Sequence, residues 1–137
     1  MANTFTAAFA QAPKIATAVC TLVATINNDT PSNTVLLLTA GSNGAIVTRL
    51  SAIPRASVTA TSLLLFLSSD GGTTRRLIDS EVMPVFTANA GLAVPETFFP
   101  LYNSETPLRL ASGERLYVGI QVARASGIAF RAEFTNF

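Results

Sequence analysis

The chain contains no histidine, no tryptophan, one cysteine (Cys20) and one lysine (Lys14). Each scarcity excludes a class of chemistry. Without histidine there is no imidazole base for a serine or cysteine nucleophile, and the usual zinc and copper sites lose their commonest ligand. One cysteine cannot build an internal disulfide framework. Charged residues make up 12% of the chain, about half the ~25% of an ordinary globular domain. Nine Lys+Arg against eight Asp+Glu leave a net charge of +1. That is too weak a field to hold a polyphosphate backbone, so no nucleic-acid partner is expected. Apolar runs are short as well, as in Leu63–Leu67, far from the ~18 consecutive residues of a membrane-spanning helix, so no membrane partner is expected either. Ile15–Ile26, preceded by Lys14, imitates the apolar core of a secretory signal. The in-phase Thr17, Thr21 and Thr25 suit one face of a strand better.

What is present reads as β structure. The 137 residues suffice for one domain that buries roughly 68% of its unfolded surface. Met1–Lys14, with Phe5 and Phe9 among many alanines, shows neither helical periodicity nor sustained alternation. It reads as an extended N-terminal arm over residues 1–14, with a single domain over 15–137. From Ile15 onward, short β-prone runs are separated by Gly, Pro, Asn and Asp. The expected strands are Ile15–Ile26, Thr34–Ala40, Ala45–Ile53, Val58–Ser68, Thr73–Met83, a short one around Phe98–Tyr102, Leu108–Leu110, Arg115–Ala123 and a last one from Ile128. Gly41-Ser42-Asn43-Gly44 and Asp70-Gly71-Gly72 carry hairpin chemistry, since glycine adopts positive φ without penalty. In the third strand, alternation places Ile46 and Leu50 on one face with Val47 and Arg49 on the other. In the last, Ile128, Phe130, Ala132 and Phe134 face the core, with Arg131 and Glu133 outward. Eight or nine antiparallel strands with a turn every ten residues or so give an all-β sandwich or barrel.

Catalytic candidates are few. Asp79 and Glu81 are two apart on a strand and share a face, as a glycosidase acid and base would. A solvated strand face neutralised by Arg75 and Arg76 explains them better, because the sequence gives no sign of a cleft. Ser–Lys chemistry would need Lys14, which lies in the arm. The glycine turns join strand to strand instead of opening a helix, so they are not phosphate loops. Cys20 lies in a strand pattern without a neighbouring cation and reads as a buried, inert thiol. No enzyme activity, metal, cofactor or small-molecule substrate is expected.

Surface composition points instead to assembly. Eight of the nine cations are arginine, the residue that interfaces enrich while lysine is depleted. Low charge favours a subunit packed on others over a free monomer. Apparent exposed apolar positions at Val47, Ile53 and Tyr117 fit a self-associating dimer or trimer. The aromatics of the arm, Phe5 and Phe9, and of the Pro84–Pro107 loop, Phe98, Phe99 and Tyr102, are the candidate partner-binding residues. That loop is long for a segment without a clear element, and such loops are often functional.

The segments AGSNGAIVTRLSAIPRA (Ala40–Ala56), LLLFLSSDGGTTRRLIDSEVM (Leu63–Met83) and LRLASGERLYVGIQVA (Leu108–Ala123) resemble small jelly-roll decoration or cement proteins of tailed bacteriophages, found on heads with the HK97-type shell fold. The resemblance runs from about Ile15 to the C-terminus and rests on strand order and turn placement. It implies an antiparallel jelly-roll sandwich of two four-stranded sheets, a homodimer or homotrimer, and a major capsid protein as partner. It implies a location on the outer surface of the virion head after synthesis in the bacterial cytoplasm, and it brings no catalytic motif. The alternative is a jelly-roll receptor- or carbohydrate-binding domain at a phage tail fibre or tip. The absence of Trp weakens it, since sugar sites commonly use aromatic platforms.

Overall fold

A computed structural model describes residues 12–137. These form nine strands: β1 (Ala12–Cys20), β2 (Val35–Thr39), β3 (Ala45–Pro54), β4 (Thr61–Ser68), β5 (Arg76–Met83), β6 (Thr97–Phe98), β7 (Leu108–Leu110), β8 (Arg115–Ile120) and β9 (Ile128–Asn136). No helix occurs among the described residues. All strand pairs are antiparallel and fall into two sheets. The first has the order β1-β9-β3, with β6 and β7 lying end to end along the far side of β3. The second has the order β2-β8-β4-β5. The architecture is an all-β sandwich, as the alternation predicts.

The core lies between the sheets. Ile128, Phe130 and Ala132 of β9 are fully buried and Phe134 nearly so, against Leu63 and Leu65 of β4 and Leu116, Val118 and Ile120 of β8. Period-2 patterning puts every second residue of these strands on the inner face. Strand β3 departs from the simple pattern. A bulge between Val47 and Arg49 inserts Thr48 as an extra residue. Val47 then faces inward opposite Phe134, Leu50 faces inward opposite Ala132, and Arg49 faces outward opposite Glu133. The expected pairing of Val47 with Arg49 on one outer face is therefore corrected: a bulge reverses the parity of everything beyond it.

The first strand is shorter than expected at its far end and longer at its start. It stops at Cys20 because its partner β9 begins opposite, at Ile128. Its described part begins at Ala12, which already pairs with Asn136 of β9. Pro13 is accommodated because β1 is an edge strand, where a missing donor need not break a ladder. Beyond Cys20 the chain crosses the outer face of the second sheet. The Ala24 amide donates to the Ile120 carbonyl at 2.8 Å, and Ala24, Leu64, Phe66 and Tyr117 form a second apolar cluster. This explains how the leucine run of β4 is buried on both faces. It also buries Tyr117, 8% exposed, so Tyr117 and Val47 are not the free apolar positions that the sequence suggests.

Gly119 sets how closely this covering segment approaches. A Cβ at that position would lie 2.6 Å from the Ala24 Cβ. We expect Gly119→Ala to lower the unfolding free energy by about 1–3 kcal/mol through overpacking. Urea unfolding measures it. Ala24→Gly in the same chain should recover part of the loss, whereas strict additivity would mean that the two residues are not in contact.

The glycine turns divide into two kinds. Asp70-Gly71-Gly72 closes a true hairpin between β4 and β5. There the Asp70 carboxylate accepts hydrogen bonds from the Thr74 hydroxyl (2.6 Å), the Thr74 amide (2.9 Å) and the Ser68 hydroxyl (2.9 Å). The Thr74 bonds hold its pKa down at about 2. Gly41–Gly44 does not close a hairpin, because β2 pairs with β8 and β3 pairs with β9. It is a corner at which the chain changes sheet, with Gly44 at φ 87°.

Candidate interaction surface

The outer face of the first sheet is open among the described residues. The register places Ile15, Thr17 and Val19 of β1, Arg131 and Glu133 of β9, and Arg49 of β3 on this face. Ile15 is 63% exposed. At the β3 side, Phe98 of β6 pairs by backbone with Ser51, and its ring stands outward with the Arg49 guanidinium 4.7 Å from the centroid. Such a cation–π contact holds an exposed ring upright at little entropic cost.

Glu96 organises this edge. Its carboxylate accepts a hydrogen bond from the hydroxyl of fully buried Ser51 and lies 3.7 Å from both Arg49 and Arg131. Arg131 in turn pairs with Glu133 at 2.7 Å. Two cations and two anions therefore neutralise one another around Phe98, and they tie the start of the Phe98–Tyr102 stretch to the sheet. Depressions of about 440 and 570 Å³ flank the group, and Thr48 and Glu133 line both. One reaches Ile15 and the other Phe98, on either side of the β3 bulge.

The expected contact aromatics separate. Phe98 is exposed, whereas Phe99 is 1% exposed and belongs to the core between the sheets. Its amide donates to the Leu50 carbonyl at 2.9 Å, so the chain is fixed with adjacent side chains pointing to opposite faces. Phe99 is corrected from contact residue to core residue. Tyr102 is half-buried against the same core. Burial, and secondarily the charge of nearby Asp79, raise its pKa. The expected strand around Phe98–Tyr102 is displaced to Thr97–Phe98, because Phe99 turns into the core and Pro100 offers no ladder donor. Leu101 beyond it is 64% exposed. Phe5 and Phe9 lie outside the described residues.

Asp79 and Glu81 do share a face, opposite Leu65 and Leu63 on edge strand β5. Asp79 accepts from the Ser80 amide at 2.8 Å and Glu81 from the Val82 amide at 3.4 Å. Arg75 and Arg76, expected to neutralise them, are engaged elsewhere. Arg76 pairs with Asp29 at 3.2 Å, and Arg75 donates to Thr34 and stacks on Tyr117. Cys20 is fully buried, and desolvation pushes its thiol up to about 12. Among the described residues no three His, Cys, Asp or Glu side chains are grouped to hold a metal ion. No helix there is long and apolar enough to cross a membrane.

The Glu96 network escapes sequence reasoning. Arg131 and Glu133 are legible as outward residues, but nothing local links either to Glu96, more than thirty positions away in a proline-rich loop. Comparison with known proteins adds no relative: no family model, no curated protein and no solved structure matches this chain.

Proposed function

We propose that the chain is a structural virion protein: a jelly-roll decoration subunit that binds the outer surface of a tailed-phage head and holds neighbouring major capsid proteins together. It works by contact and not by catalysis, with no cofactor. It is made in the bacterial cytoplasm and associates with itself as well as with the shell. The strand orders β1-β9-β3-β6/β7 and β2-β8-β4-β5, with the chain switching sheet at most connections, support the jelly-roll reading. The first sheet holds five strands where the resemblance implies four, because β6 and β7 share one side of β3.

The observation that carries the functional reading is the open face of the first sheet. Ile15, Phe98 and Leu101 expose large apolar side chains beside a charge-neutral arginine cluster on a rigid two-layer scaffold. Aromatic and arginine side chains on a pre-organised surface are the composition that protein contacts select. Phe98 and the rim of Tyr102 are the contact residues here, joined by Phe5 and Phe9 of the arm.

Quantitative mass spectrometry of intact particles tests the assignment. The chain should occur in fixed ratio to the shell protein and remain with heads when tails are removed. Recovery with tails alone, or absence from particles, overturns it. A variant lacking residues 1–11 should melt at the full-length temperature yet decorate shells at roughly a tenth of normal occupancy or less, the loss expected when ~1.4 kcal/mol or more of apolar contact is removed. Normal occupancy would take the arm out of the contact.

A further inference from the structure

We propose that β1 is a self-pairing edge, through which two copies join their first sheets antiparallel about a twofold axis at Thr17. Four rims bound the two sheets, and three of them are blunted. The β6/β7 rim consists of strands of two and three residues. Strand β2 has five residues, with an irregularity in its pairing between Leu36 and Leu38. Strand β5 is interrupted by a bulge against β4, begins with Arg76 and carries Asp79 and Glu81 on the face of Leu65 and Leu63. Short strands, bulges and inward-facing charges are the devices by which edges avoid pairing.

Strand β1 carries Pro13 and the inward-register Lys14 at its start, but from Ile15 to Cys20 it has none of these devices. It runs nine residues, pairs with β9 without a register shift, and has β9 as its only strand partner among the described residues. Its one charge is Lys14, near its start.

The side chains fit a second copy of the same strand. An antiparallel pair centred on Thr17 places Ile15 opposite Val19 of the second copy, and Val19 opposite Ile15. Both are exposed, at 63% and 37%, and both are β-branched, the type that packs best as cross-strand neighbours. On the inner face Ala16 meets Ala18 at the centre, and the exposed Lys14 falls opposite Cys20 of the second copy at each end of the paired segment. The two Lys14 side chains sit three residues either side of the axis, about 20 Å apart, too far to repel at ordinary salt. A twofold axis requires a self-complementary strand, and this sequence is one.

The inference does not depend on shell binding, since it is read on the purified full-length protein alone. Sedimentation equilibrium should show a reversible monomer–dimer equilibrium in the micromolar range. Ile15→Lys should weaken it about tenfold or more, through two like charges placed beside apolar neighbours. Thr17→Cys gives the geometric test. Directly opposite residues of an antiparallel pair have Cα atoms about 4.5–5.5 Å apart, within the span of a disulfide. Oxidised glutathione should therefore convert Thr17→Cys to a covalent dimer far faster than Leu92→Cys, an exposed loop position. The buried Cys20 stays out of the exchange. A wild-type protein that remains monomeric at high micromolar concentration overturns the proposal. So does a Thr17→Cys variant that crosslinks no faster than Leu92→Cys.

Discussion

Replacing Phe99 by alanine should lower the unfolding free energy by about 3–5 kcal/mol, the range for deleting a buried phenylalanine from a close-packed core. Its ring is 1% exposed between the sheets, and its backbone ties the loop to β3 through the Leu50 carbonyl at 2.9 Å. Loss of the ring leaves a cavity that neither sheet can close, because both are held by their ladders. Phe98→Ala, one residue away, should behave in the opposite sense. That ring is 42% exposed and touches Arg49, so its removal should cost about 1 kcal/mol or less of stability. Its effect should fall on shell occupancy. Chemical denaturation of both variants, alongside a shell-binding assay, separates the two roles. Equal destabilisation by the two substitutions would mean that the division between core and contact is wrong.

Alkaline solution should destabilise the fold through Cys20. The folded thiol has its pKa raised to about 12 by desolvation, against an ordinary value of 9.0. Its contribution is fully present below pH 9. Above that the unfolded chain ionises while the folded chain keeps its proton, so stability falls as pH rises through 12. The slope in this window approaches about 1.4 kcal/mol per pH unit, which is the linkage of one proton. Tyr102, also raised by burial, adds in the same direction above its ordinary value of 10. Cys20→Ala should flatten the part of the profile that begins near pH 9, whatever its own effect at neutral pH. Tyr102→Phe should leave that part intact. Unfolding free energies measured from pH 8 to 11 read both. An unchanged slope in Cys20→Ala would show that the thiol is not held neutral by the fold.

The sequence by itself determines the local grammar of this protein. The alternation of Ile128, Phe130, Ala132 and Phe134, and of Leu116, Val118 and Ile120, dictates strands and their inner faces, because pleating sends successive side chains to opposite sides. Asp70-Gly71-Gly72 dictates a tight reversal. Sheet membership is decided elsewhere. The turns at Gly44, Gly71 and Gly127 all use positive φ, yet only the second joins paired neighbours, since partner choice elsewhere depends on contacts about 45 to 124 residues apart in sequence. The Thr48 bulge that turns Val47 inward exists to keep β3 in register with β9, and no feature of β3 alone marks it. The crossing of residues 21–34 that buries Tyr117, and the backbone bond that sends Phe99 inward and Phe98 outward, arise in the same way. Local sequence sets what each residue can do, while packing two sheets to a common density decides which of those options is used.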